Sequence, residues 1–211
     1  MSKEYEISIR IDFPADINKA ILKEKERFVA EYGSPYKSEP HITLYLDRYT
    51  EEGFSLLIHD LKELHMEHFS VTLLDVKRNL DQDLHRNLYV VDISNKKRVR
   101  QLHNKKQGIA VKYHSPFLRE KVRKQLEKQG VVTNGKRENL PSRPKDFDPH
   151  ITLGEVDLSA QQPDLAEVQE NVKDLNGVKI LVSSFSAALY GKETGEEKFK
   201  LIEKTIVPLE D

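Results

Sequence analysis

No cysteine and no tryptophan occur in these 211 residues, and only two methionines do. The missing thiols exclude disulfides, thiolate metal sites and cysteine nucleophiles, leaving His, Asp, Glu, Ser and Thr for any chemistry. No run of 18 apolar residues is present, so nothing reads as a membrane-spanning helix and no membrane partner is expected. The opening MSKEYEISIR is charged from its third residue and lacks the apolar segment of a secretory signal, which makes a cytoplasmic protein the expectation. The G-x-S-x-G of serine hydrolases is absent, and Gly191-Lys192 lacks the upstream glycine of a phosphate loop. A chain of this length can bury roughly 70% of its unfolded surface, as one domain or two small lobes.

Charge is balanced overall but not locally. The formal net charge is −1, yet residues 96–128 hold 12 Lys or Arg against Glu120 and Glu127 alone. Such a segment is either a solvated helix face or a surface for a polyanion such as RNA. Its most basic stretch, KKRVRQLHNKK, has no interleaved aromatics, which weakens the RNA reading.

Periodicity outlines the elements. Ile7, Ile9, Ile11 and Phe13 alternate as in a half-buried strand. Pro14 then opens a helix whose stripe of Ile17, Ile21, Phe28 and Val29 runs out at Tyr32-Gly33. A second amphipathic helix is expected over 51–64, strands over 68–76 and 87–94, and helices over 95–106 and from Ser115-Pro116 to Gly130. Residues 133–148 read as a long loop, followed by a helix near 163–175 and strands near 178–190 and 197–208.

One phrase occurs twice: EPHITL at 39–44 and DPHITL at 148–153. Each falls on an expected strand after a strand and a helix, which marks an internal duplication. In an extended strand His41 and Thr43 share one face while Ile42 and Leu44 share the other, and His150 and Thr152 repeat the arrangement. Pro40 and Pro149 suit the first position of a strand, where no ladder N–H is needed. If the copies pack about a pseudo-twofold axis, two imidazoles and two hydroxyls converge on one cleft. Such a set suits phosphate-ester cleavage: one neutral imidazole takes a proton, the other as imidazolium gives one, and the hydroxyls donate to non-bridging oxygens.

The two H-x-T-hydrophobic segments, His41-Ile42-Thr43-Leu44 and His150-Ile151-Thr152-Leu153, resemble those of the two-histidine (2H) phosphoesterase superfamily, which includes bacterial 2'-5' RNA ligase-like proteins and cyclic phosphodiesterases. The resemblance implies an α/β (α+β), bilobal, duplicated fold in which two antiparallel-rich sheets face a central cleft with helices outside. It also implies catalysis by His41 and His150 without a metal or other cofactor, phosphate contact from Thr43 and Thr152, and a nucleotide or RNA-end phosphate as substrate. A single domain of two lobes, roughly 1–94 and 95–211, is expected. The 109 positions separating the histidines exceed the spacing of compact members, which implicates the basic helices and the 133–148 loop as an insertion.

Further candidates are less specific. Tyr45 continues the period of His41 and Thr43 and is a candidate base platform, with Gly154 as its counterpart. Arg143 and Lys145 precede the second motif within reach of substrate phosphates. His59, His65 and His68 have Asp60, Glu63 and Glu67 nearby but no i, i+4 histidine pair, so no metal site is expected. The expected function is cleavage of a 2',3'-cyclic phosphate or 2'-5' phosphodiester. The alternatives are a non-catalytic module binding RNA or nucleotide phosphate, and hydrolysis of a cyclic phosphate on a non-nucleotide metabolite.

Overall fold

A computed structural model describes residues 3–35, 38–49, 51–81, 85–110, 112–113, 147–193 and 199–210. In chain order the elements are β1 (Lys3–Asp12), α1 (Ala15–Tyr32), β2 (His41–Tyr49), α2 (Glu51–Lys62), β3 (Phe69–Asp81), β4 (Arg86–Ile93), α3 (Lys96–Ala110), β5 (Ile151–Asp157), α4 (Leu165–Asn171), a 3-10 turn at Lys173–Leu175, β6 (Lys179–Val182), β7 (Ser184–Glu193) and β8 (Lys200–Pro208). The alternation read in β1 is real: Ile7, Ile9 and Ile11 are at most 1% exposed. Burying each is worth roughly 1.5–3 kcal/mol. Helix α1 stops where expected, because Gly33 adopts the left-handed conformation (φ 67°) and its N–H donates to the Phe28 carbonyl.

The strands form one antiparallel order, β6-β3-β4-β5-β2-β1-β7-β8. Two four-stranded halves are evident, and they meet where β2 lies beside β5 through one pair in register, Ile42 with Ile151. Counting outward from that seam, β2 corresponds to β5, β1 to β4, β7 to β3 and β8 to β6. The α+β class and the duplicated antiparallel arrangement are thus as expected. The repeat runs β1-α1-β2-α2 and β4-α3-β5-α4, so its second copy begins with β4 at residue 86 and a division near 94 does not follow the sheet. Strands β7 and β8, from the end of the chain, complete the half that contains β1.

A second difference lies at 178–190, where one expected strand is two. Burial follows Ile180 and Val182, then switches parity to Phe185, Ala187 and Leu189. The chain crosses at Ser183 from β6, paired with β3, to β7, paired with β1. The helix expected after Ser115-Pro116, and the 133–148 loop up to Asp146, lie outside the described residues.

The helices bind the halves together. Helix α1 packs on β5 and α3 on β2, so each crosses to the motif strand of the other copy. Gly154 allows that approach: a Cβ there would overlap the Phe28 side chain of α1, whose ring also packs 5.1 Å from that of Tyr89. Gly154→Ala is therefore expected to cost about 1–3 kcal/mol in urea denaturation by overpacking. Unchanged stability would show that α1 is not held closely on β5.

Candidate active site

Antiparallel pairing of Ile42 with Ile151 decides the positions of their neighbours. Stepping one residue along each strand brings His41 opposite Thr152 and Thr43 opposite His150. Because alternate residues change face, these four side chains project away from Ile42 and Ile151, both 0% exposed, and toward the open face of the seam. Diagonal positions across such a pair are roughly 7–8 Å apart, which leaves room for a phosphate between the two imidazoles.

Both motifs are followed by the same irregularity. Thr43 faces Arg10 and Tyr45 faces Ile9, so Leu44 is an extra residue; Thr152 faces Val90 and Gly154 faces Tyr89, so Leu153 is another. Such bulges bend the strand and break the alternation. Tyr45 therefore turns into the core opposite Ile9 and is 1% exposed, which corrects the expectation of a base platform beside Thr43. Its counterpart Gly154 makes room for Phe28.

The two imidazoles are held alike. His41 Nδ1 lies 2.7 Å from the Glu39 carbonyl, and His150 Nδ1 lies 2.7 Å from that of Asp148. A carbonyl only accepts, so Nδ1 carries the hydrogen in both rings and Nε2 is the atom left for chemistry. Their electrostatic settings differ. Burial lowers the His41 pKa to about 4 against the effect of the Glu39 carbonyl, with Arg10 and Lys25 lowering it further and Asp12 raising it. Burial also lowers that of His150, but there Asp148 and Asp92 pull upward and only Lys96 adds to the decrease.

Polar side chains from the helices support the motifs from behind. The Lys25 Nζ donates to the Thr152 carbonyl at 3.3 Å, and His103 Nδ1 donates to the Leu44 carbonyl at 2.5 Å. Thr152 and Leu44 both flank or form a bulge, so these side chains serve backbone at points where the ladder is interrupted. Both were missed in the sequence, although each is a polar residue within the apolar stripe of a helix: Lys25 among Ile17, Ile21 and Phe28, His103 among Val99, Leu102 and Ala110. Lys106, on the same stripe and fully buried against the Phe185 ring, has its pKa driven well down by burial.

Other candidates lie elsewhere. Arg143 and Lys145 are outside the described residues. His65 contacts the Glu210 carboxylate and His68 Nε2 donates to the Leu209 carbonyl, tying the start of β3 to the end of the chain. His59 lies 3.5 Å from Asp60. Much of the described basic segment is engaged internally. Arg98 pairs with Glu67, Arg100 Nε donates to the Phe147 carbonyl, Lys105 to that of His65, and Lys112 pairs with Asp60.

Fold and motif geometry together define a duplicated α+β protein with two histidines and two threonines on one seam. Among solved structures, similar ones span nearly all of both chains. Escherichia coli LigT in its apo form matches at a TM-score of 0.60 and 16% identity, over 98% of this chain and 99% of that one. TT0787 of Thermus thermophilus matches at 0.54 and 16%, over 98% and 100%. LigT complexed with 3'-AMP matches at 0.56 and 16%, over 97% and 98%. The chain thus has the LigT-like fold that its paired motifs led us to expect. No family model matches the sequence, and no curated protein sequence matches it.

The Lys25 site makes a prediction for stability. Burial lowers the Lys25 pKa from 10.5 to about 8, so between those values the unfolded chain binds a proton that the folded chain does not. Stability from this group is therefore gained as pH rises from about 8 to 10.5 and lost as it falls. In urea denaturation the difference between wild type and Lys25→Met should shift toward wild type across that range. A pH-independent difference would place the amine in water.

Proposed function

We propose that the chain is a 2H phosphoesterase cleaving 2',3'-cyclic phosphate or 2'-5' phosphodiester bonds of nucleotides or RNA ends through its paired histidines. The observation that carries this reading is the seam pair Ile42–Ile151, which puts His41, Thr43, His150 and Thr152 on one face in alternating order. A phosphodiester centred among them would have an imidazole Nε2 on each side and a hydroxyl at each remaining corner. As the new P–O bond forms, one Nε2 takes the proton of the attacking water or ribose hydroxyl. As the old bond breaks, the other Nε2 gives a proton to the leaving oxygen. The threonine hydroxyls donate to the non-bridging oxygens while charge builds on them. The LigT complex with 3'-AMP supports a nucleotide phosphate as ligand, since that protein shares the fold.

Asymmetric surroundings favour a division of roles. His41, with two cations and one anion acting on it, stays neutral and suits the base. His150, under two carboxylates and one cation, retains a proton more readily and suits the acid. For the free enzyme, kcat/KM should fall below about pH 4 as His41 protonates. It should fall again at higher pH as His150, whose pKa burial holds below the ordinary imidazole value, loses its proton, giving a bell-shaped profile. A single rise toward alkaline pH would contradict this division. On a 2'-5' dinucleotide with a sulfur leaving atom, which needs no proton, His150→Ala should recover activity and His41→Ala should not.

Phosphorus NMR on a panel of 2',3'-cyclic nucleotides, 2'-5' dinucleotides and cyclic-phosphate-ended RNA, with EDTA present, tests the reaction itself. Replacing either histidine with alanine should lower turnover by at least ~10² with circular dichroism unchanged. Turnover that survives both changes would overturn the assignment. RNA binding without turnover, steeply salt-dependent and intact in both variants, would indicate a binding module instead.

A further inference from the structure

Each motif begins with an acidic residue, Glu39 or Asp148, whose carboxylate takes no part in the proton transfers proposed above. In the first copy Arg10 of β1, whose side chain is 5% exposed, places Nε 3.0 Å from Asp12, one terminal nitrogen 3.3 Å from Glu39 and the other 3.1 Å from the Tyr190 hydroxyl. In the second, Lys96 at the start of α3 lies 2.6 Å from Asp92 and 2.7 Å from Asp148. Asp12 and Asp92 occupy corresponding places near the ends of β1 and β4. In both copies, then, one cation bridges the aspartate of the strand beside the motif strand and the acidic residue two positions before the motif histidine. The backbone carbonyl of that acidic residue is the one that accepts from the imidazole Nδ1.

The cations do not come from corresponding positions. Arg10 faces Thr43 across the ladder, and the residue facing Thr152 is Val90. Duplication alone would not produce this; a strand arginine and a helix lysine reach the same place by different routes. We propose that Arg10 and Lys96 are positioning residues, each clamping the acidic residue of a motif so that its carbonyl holds the catalytic imidazole at a set angle. The role as positioning residues for catalysis rests on the function proposed above; the effect on the imidazoles does not. Pro40 and Pro149 restrict the preceding residue to extended backbone, the cation anchors its carboxylate, and the imidazole takes its carbonyl. A neutral side chain at 39 or 148 would leave that peptide to swing, and Nε2 with it.

The charged groups around each ring are distinct, so the two clamps can be tested separately. Facing His41 are Arg10 and Asp12 of β1 and Lys25 of α1, with Lys204 of β8 3.0 Å from Asp12 and Tyr190 of β7 on Arg10. Facing His150 are Asp92 of β4 and Lys96 of α3, with Lys77 of β3 on Asp92 and Arg100 of α3 3.5 Å from Asp148.

The experiment is titration of the His41 and His150 imidazoles by carbon and nitrogen NMR in Arg10→Met, Lys96→Met, Glu39→Gln and Asp148→Asn, alongside kcat and KM. Arg10→Met should raise the His41 pKa and leave His150 unmoved; Lys96→Met should raise that of His150, and Asp148→Asn should lower it. All four should reduce the Nδ1–H tautomer of their own ring and lower kcat about 10-fold with less change in KM. Opposite shifts from the two partners of one clamp are not produced by general loosening. Unchanged titration and tautomer in all four variants, or both rings moving together in each, would overturn the proposal. Should Arg10→Met fail to fold, Arg10→Lys and Glu39→Gln at its 70% exposed position carry the first-copy test. Because titration needs no turnover, shifts as expected in a protein without phosphodiesterase activity would leave the clamps standing and remove the enzyme reading. Activity lost in the histidine variants with the clamp variants silent would do the reverse.

Discussion

Two hydrophobic side chains, Ile42 and Ile151, meet across the narrowest join in the sheet, and the placement of the two motif histidines and two threonines follows from that contact. Antiparallel strands give the four flanking residues no freedom: once those isoleucines are opposite one another and buried, the histidines and threonines must alternate around the exposed side. The next residue in each motif, Leu44 or Leu153, forms a bulge against the strand outside it. Among the described residues, pairing between β2 and β5 does not extend beyond the one residue pair, so the halves touch at a point and diverge around it. A seam of that kind is a joint between the two halves, with the motif side chains on one face of it.

The joint is reinforced from the far side by helices that each lie over the other copy's motif strand. Their support is partly polar, which is costly, since a buried amine or imidazole without a partner loses its hydration. Lys25 and His103 recover some of that loss on the Thr152 and Leu44 carbonyls. Burial pushes the Lys25 and His103 pKa values down, so these groups are suited to the interior in their neutral forms. What they supply is direction: a donor aimed at one carbonyl restrains a strand more narrowly than apolar packing does.

Charge on α3 is used in a similar local way. A basic stretch invites the idea of a polyanion track, yet in the folded chain Lys96, Arg98, Arg100 and Lys105 reach carboxylates or carbonyls of neighbouring segments. Hydrogen bonds from Lys77 and Lys96 hold the Asp92 pKa below its ordinary value despite burial. These pairs bring little stability where they are exposed. The pairs of Lys96 with Asp92 and Asp148 give His150 an electrostatic setting of its own, one that a near-symmetric sequence motif does not reveal.

Periodicity sufficed for most of the fold. The alternating isoleucines of β1, the stripe and terminal glycine of α1, and the repeated PHITL all report local constraints, and local constraints are written in local sequence. The duplication, and the face shared by the two histidines and two threonines, were legible for that reason. Three things were not. The crossing at Ser183 depends on which strands accept β6 and β7, although the parity switch was there to be read. Tyr45 left the face of His41 and Thr43 because a bulge, a feature of pairing between strands, reversed the alternation that its own strand predicts. Arg10, Lys25, Lys96 and His103 each gain part of their role from a residue 29 to 127 positions away in the chain. Sequence alone determined which groups could do chemistry and the face of the strand they share. Tertiary structure decided what lies beside each of them, because pKa and orientation depend on distances through space that chain order does not encode.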